Sequence, residues 1–184
     1  KWAGNTLFEL MEKAYMSQSL IKKAEEIIRK NNKDLMISIN NLDDLKFNLS
    51  LKPEYVKLPS PESSDYFLAR KILNLGFNLV LSTGVMNDDE LEFIYQKIEP
   101  NLNSTNSLTV LHCVSNYPTT LNDVNLRRLS TLKKICPKAE VGISDHTKGS
   151  LVPILAASNG VKMIEKHIKI NDKIDTLDSS FSLT

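Results

Sequence analysis

Short apolar runs rich in β-branched residues alternate with longer stretches of helical periodicity along almost the whole chain, and this alternation narrows the fold more than any other feature. The candidate strands are residues 35–39, 55–58, 78–82, 108–114, 140–144 and 161–168. Between them, residues 17–32 place Leu20, Ile21, Ala24, Ile27 and Ile28 at i, i+3/i+4 spacing, with Lys and Glu on the other face, as an amphipathic helix requires. Residues 64–75 and 150–159 are helical in pattern and run into Gly76 and Gly160, natural terminators. Residues 87–98 open on Asn87 followed by Glu90, a capping-box variant, and residues 121–135 fill the remaining gap. Repeated strand–helix–strand units predict parallel strands joined by right-handed crossovers. Two architectures fit: an open doubly wound sheet, or a (β/α)8 TIM barrel, usually of about 250 residues, that lacks units at its start. Periodicity does not separate them.

Composition removes several classes of function. The 184 residues suit one domain with a real core, and 23 Lys+Arg against 22 Asp+Glu leave no basic footprint for nucleic acid and no polybasic membrane patch. No apolar run approaches the roughly 18–20 residues that cross a bilayer. Residues 1–5 lack a signal-peptide pattern, and the chain opens on Lys rather than Met, as a piece of something longer would. Cys113 and Cys136 are too few for a disulfide framework. The expectation is a reduced, cytoplasmic protein without nucleic-acid or membrane partners. No P-loop, G-x-G-x-x-G, G-x-S-x-G or H-E-x-x-H is present, so ATP hydrolysis, dinucleotide binding and serine-hydrolase chemistry have no support.

In both architectures ligands bind at the carboxyl ends of the strands. The second strand holds Lys57 and runs into Leu58-Pro59-Ser60, and the third ends Ser82-Thr83-Gly84. The fourth continues through His112-Cys113-Val114-Ser115-Asn116-Tyr117, the fifth through Ser144-Asp145-His146, and the sixth through Glu165-Lys166-His167. His146 and His167 end successive strands, where neighbours lie about 4.8 Å apart. Two imidazoles there either hold a divalent metal with positions left open for substrate and water, or form a hydrogen-bonded pair at the rim. His112, inside an apolar run, reads as a satisfied core histidine. Glu165 and His167 share one face of their strand, and Ile164 and Lys166 the other. Such a carboxylate and imidazole are either ion-paired or functional. Lys57 either meets an anionic ligand or snorkels to solvent. With Ser60, Ser82 and Ser144 it would suit a phosphate.

Five ordered motifs are familiar: Val80-Leu81-Ser82-Thr83-Gly84, Leu111-His112-Cys113-Val114-Ser115-Asn116-Tyr117-Pro118, Asp123-Val124-Asn125-Leu126-Arg127, Gly142-Ile143-Ser144-Asp145-His146-Thr147 and Ile164-Glu165-Lys166-His167. Together with Asp178 and the following Phe181-Ser182-Leu183, they resemble the N-acetylneuraminate (sialic acid) synthases and their legionaminic, pseudaminic and spore-coat relatives. The resemblance covers nearly the whole chain and is strongest over residues 79–183.

That resemblance implies a TIM barrel, here with about six of its strands, followed by a small antifreeze-like domain in a homodimer. It implies condensation of phosphoenolpyruvate with an N-acylated hexosamine to a nine-carbon 2-keto acid and phosphate. By motif, His146 and His167 would hold the divalent metal, manganese or magnesium. Lys57, Ser60, Ser82, Ser115 and Ser144 would bind phosphoenolpyruvate, with Tyr117, Glu165 and Asp178 near the metal or the sugar. The family's catalytic glutamate is expected upstream of Lys1, so residues 1–184 alone are not expected to turn over. Two departures stand out. Ser38-Ile39-Asn40-Asn41 replaces the family's Ser-Thr-Pro-Phe, and Thr176-Leu177 replaces its Gly-Pro. The rival readings are a non-catalytic relative that keeps the barrel for binding or assembly, and an aldolase-type barrel with a Schiff-base lysine at Lys57 or Lys166.

Overall fold

Six parallel strands lie side by side in the order in which the chain makes them: β1 (Met36–Ser38), β2 (Tyr55–Leu58), β3 (Asn78–Ser82), β4 (Leu108–Cys113), β5 (Glu140–Asp145) and β6 (Met163–Lys166). They are seen in a computed structural model, which describes residues 8, 9, 12, 15–173, 176 and 178–184; residues 1–5 and Leu177, singled out above, lie outside these. A doubly wound sheet reverses its strand order at a switch point. This sheet has no reversal. It also curls. Lys57 Nζ on β2 lies 2.6 Å from Glu165 Oε1 on β6, four strands away. Four flat strand spacings would separate their backbones by about 19 Å, beyond the reach of two side chains. The chain is therefore an α/β half-barrel of TIM type, as the second architecture predicted.

The helices are α1 (Gln18–Lys30), α2 (Leu42–Ser50), α3 (Tyr66–Asn74), α4 (Asp88–Ile98), α5 (Arg128–Ile135) and α6 (Leu151–Ser158). The capping box of α4 is complete: Asn87 Oδ1 accepts the Glu90 N–H at 2.9 Å, and Glu90 Oε2 accepts the Asn87 N–H at 2.8 Å. The helix expected over 121–135 is shorter, because Asn125 adopts a φ of 43° and the chain turns through Thr120–Asp123 before α5 begins. Among the described residues no helix is long and apolar enough to cross a membrane.

Period-two alternation divides the sheet into two unlike faces. Val56, Leu58, Leu79, Leu81, Val110 and Val141 face outward and pack with Leu68, Ile72, Leu91, Ile98 and Leu132 of the helices. Each such fully buried side chain contributes about 1.5–3 kcal/mol of transfer free energy. The inner face carries Lys57, Ser82, Ser144 and Glu165 at its carboxyl end. Gly142 allows that face to close. A Cβ there would fall 2.6 Å from both Leu111 Cδ2 and the Met163 carbonyl oxygen, and the latter is backbone that cannot swing aside. Gly142→Ala is expected to lower stability by about 3 kcal/mol, the upper part of the range for overpacking. Urea unfolding read by tryptophan-independent circular dichroism checks it. Cys136, fully buried behind α5, has its thiol pushed by burial up to about 12 from an ordinary 9.0. The unfolded thiol ionises first, so stability is expected to fall by about 1.4 kcal/mol per pH unit above 9. Cys136→Ala removes that alkaline slope, as thermal melts at pH 8 to 11 would show.

Candidate active site

The ten side chains singled out from separate motifs all line one cavity of about 540 Å³ at the carboxyl ends of the strands. Strand β2 supplies Lys57, and the turn after it Ser60. Strand β3 ends on Ser82, and the segment beyond β4 brings Ser115 and Tyr117. Strands β5 and β6 contribute Ser144 and Glu165 in register, each followed two residues later by a histidine, His146 and His167. Asp178 comes from the segment after β6. The volume falls in the range of small-molecule sites.

A chain of short polar contacts crosses the floor. Lys57 Nζ donates to Glu165 Oε1 at 2.6 Å, and the Ser144 hydroxyl donates to the same oxygen at 2.6 Å. Lys57 is thus held by a carboxylate and does not snorkel, its side chain being 15% exposed. Burial works to raise the Glu165 carboxyl, yet the Lys57 charge and the hydrogen bonds from Lys57 and Ser144 outweigh it and leave the carboxyl below its ordinary range. Glu165 and His167 do not pair with each other: His167 Nδ1 stands 3.3 Å from Asp178 Oδ2.

His146 is set from behind. Its Nδ1–H donates to the Val114 carbonyl at 3.1 Å, which leaves the lone pair of the neutral ring on Nε2, 3.4 Å from Ser144 Oγ. Burial lowers its pKa, helped by the neighbouring His167, so the ring favours that neutral form. The two imidazole centroids are 5.4 Å apart, and Tyr117 and the buried Phe181 pack against the pair, with Tyr117 4.2 Å from His146. A neutral imidazole with a free Nε2 and a second imidazole oriented by a carboxylate form a donor set that suits a borderline divalent ion. Among the described residues no three His, Cys, Asp or Glu side chains are grouped to hold a metal ion.

The opposite wall has the character of an anion seat. Ser82 Oγ is buried and has no hydrogen-bond partner, a costly state that an acceptor-bearing or hydroxyl-bearing ligand relieves. Ser60 Oγ accepts the Gly84 N–H at 3.1 Å. A Cβ on Gly84 would lie 2.5 Å from Ser115 Oγ and 2.9 Å from Ser60 Oγ, so the absence of a side chain is what lets these hydroxyls converge. Thr83 is structural: its hydroxyl donates to the Leu111 carbonyl.

Cys113, which also lines the cavity, was not singled out from the sequence. It lies two residues before Ser115 on the inward face, so period-two counting would have found it. His112 faces the other way, buried, and its Nε2–H donates to the Val124 carbonyl at 2.6 Å, while Nδ1 has no partner. The core reading of His112 thus holds for one nitrogen and fails for the other. Lys166 points outward into an ion pair with Asp145 and lies outside the cavity, and Lys57 is paired. Neither lysine has the apolar surroundings that Schiff-base chemistry requires.

Comparison with known proteins shows the family. The NeuB family model matches residues 1–184. Pseudaminic acid synthase of Helicobacter pylori is 34% identical over 182 residues, 99% of this chain and 53% of that protein. N,N'-diacetyllegionaminic acid synthase of Campylobacter jejuni is 35% identical over 140 residues, 76% of this chain and 41% of that one. The crystal structure of N-acetylneuraminic acid (sialic acid) synthetase from Leptospira borgpetersenii, in complex with citrate, aligns with a TM-score of 0.86 at 26% identity, covering 95% of this chain and 60% of that one. The chain spans about half the length of the curated relatives it matches. With the match running from the first residue to the last, the chain belongs to the NeuB family.

Proposed function

We propose that the intact protein condenses phosphoenolpyruvate with the open-chain form of an N-acylated hexosamine, giving a nine-carbon 2-keto sugar acid and phosphate. In this reaction C3 of phosphoenolpyruvate bonds to the aldehyde carbon, whose oxygen takes a proton. Water adds at C2, and loss of phosphate leaves the ketone. The observation that carries the reading is the convergence of Lys57, the four serines and the two histidines on one cavity. Lys57 and the hydroxyls of Ser60, Ser82, Ser115 and Ser144 bind the anionic substrate, where charge-assisted bonds are the strong ones. Ser82 exchanges an unpaired hydroxyl for a paired one. Glu165 pairs with Lys57 and holds its ammonium group at the cavity wall. His146 and His167 hold a divalent cation, and two imidazoles favour manganese over the harder, oxygen-seeking magnesium. Such a cation supplies Lewis-acid polarisation of the aldehyde oxygen. Tyr117 and Asp178, beside the histidines, border the sugar.

The rival, a relative that binds without catalysis, draws on one observation. Ile39, where the family has threonine, is fully buried in the core, and β1 contributes no residue to the cavity lining. Incubating the intact protein with phosphoenolpyruvate, manganese and a panel of N-acetylated hexosamines separates the two. Phosphate release that needs both substrates is expected. Release with no member of the panel rejects the synthase reading.

A further inference from the structure

Two cross-strand pairs stand at adjacent positions of β5 and β6 and face opposite ways. Ser144 is in register with Glu165 on the cavity side, and Asp145 with Lys166 on the helix side. Continued by one residue, the same register sets His146 beside His167. The outer pair is the more deeply buried: Lys166 Nζ lies 2.7 Å from Asp145 Oδ2, with side chains 8% and 2% exposed. Lys166 Nζ also donates to the Thr147 carbonyl. Asp145 in turn accepts the Thr147 N–H at 3.0 Å and its hydroxyl at 3.2 Å. His146 is therefore flanked on one side by Asp145 and on the other by a residue tied down through N–H, carbonyl and hydroxyl. Its own carbonyl accepts the Thr119 N–H at 3.0 Å. His167 directly follows the lysine of the same knot.

Packing does not require charges here, since apolar residues of similar volume replace a buried ion pair at little cost to stability and often with a gain. What an apolar pair lacks is direction. It would let β5 and β6 slide or splay by fractions of an ångström, and a two-histidine site with open positions has no third protein ligand to absorb the error. We infer that the Asp145–Lys166 pair is a positioning device that fixes the separation of His146 and His167 and so sets the affinity of the site for its divalent cation. The inference rests on the metal reading proposed above and places control of that site on the far face of the sheet.

Manganese titrations of the intact protein, followed by the electron paramagnetic resonance signal of the free ion and paired with thermal melts, test it. The double variant Asp145→Leu/Lys166→Met strips the buried Thr147 N–H, hydroxyl and carbonyl of these partners and is expected to melt lower than the wild type. Where folded, it is expected to bind manganese about 10-fold more weakly, the low end of what losing a ligand's support costs. Lys166→Arg, which keeps the cation, should recover most of the affinity. If the double variant does not fold, Lys166→Gln carries the test, since it removes the charge and retains N–H donors. Either variant, folded and binding manganese as tightly as the wild type, overturns the inference while leaving the metal site intact. If His146→Ala binds manganese as well as the wild type, the metal reading fails and the inference fails with it.

Discussion

Lys57→Met should raise the KM for phosphoenolpyruvate roughly 10- to 100-fold, about 1.5–3 kcal/mol for a lost charge-assisted hydrogen bond, with the KM for the sugar little changed. A second effect follows from the Lys57–Glu165 contact of 2.6 Å. Without the lysine, a carboxylate only a quarter exposed keeps one donor, Ser144, and stability at neutral pH should fall by about 1–2 kcal/mol. In the wild type the Glu165 carboxyl is held below its ordinary 4.5. The stabilisation it gives is complete above that value and is lost as pH falls through the lowered one. The variant should lose this acid-side slope. Lys57→Met/Glu165→Gln separates the two effects, since it should restore the melting temperature and leave the KM high. A wild-type KM in both variants would show that the anion binds elsewhere.

His146→Ala in the intact protein should lower manganese-dependent phosphate release by at least about 100-fold, more than the loss of an outer-shell partner costs. His167→Ala should do the same. The fold should survive, because the His146 ring makes one hydrogen bond to backbone, to Val114, and otherwise ring contacts with Tyr117, His167 and Phe181. The two predicted losses differ in kind. Substitution at His146 should abolish the response to added manganese, whereas Lys57→Met should leave that response intact and shift only saturation by phosphoenolpyruvate. Full metal-dependent turnover in both histidine variants would place the cation elsewhere.

Much of the fold was readable because strands buried on both faces advertise themselves as short β-branched runs, and residues 55–58 and 78–82 match β2 and β3 to the residue. Barrel against open sheet was not readable, because strand order and curvature leave no trace in periodicity. Helix α2 went unread. Leu42, Leu45 and Leu49 sit among Asp43, Asp44, Lys46 and Asn48, so its apolar face is weak, and its clearest signal is the cap, where Asn41 Oδ1 accepts the Asp44 N–H at 3.0 Å. The reading of 121–135 as one helix failed for the opposite reason. The apolar spacing continues through Val124, but Val124 is fixed in a turn by the bond from His112, and tertiary structure overrides the local pattern. The residues that line the cavity were identifiable because motif order survives when register and curvature are unknown. Their partners were not: that Lys57 would meet Glu165 is a property of the curl alone.

The same contact bears on how the protein comes into being. Residues 57 and 165 are separated by 108 positions, and every other polar contact across the floor of the cavity also waits for β5 and β6. Pairings so distant in sequence form late, because the chain must close a large loop before they return any stabilisation. During synthesis from the amino end, β2 and β3 can pair with each other long before Glu165 leaves the ribosome. Until then Lys57 lacks the carboxylate that holds it in the folded protein. The floor of the pocket therefore forms only once β6 is in place.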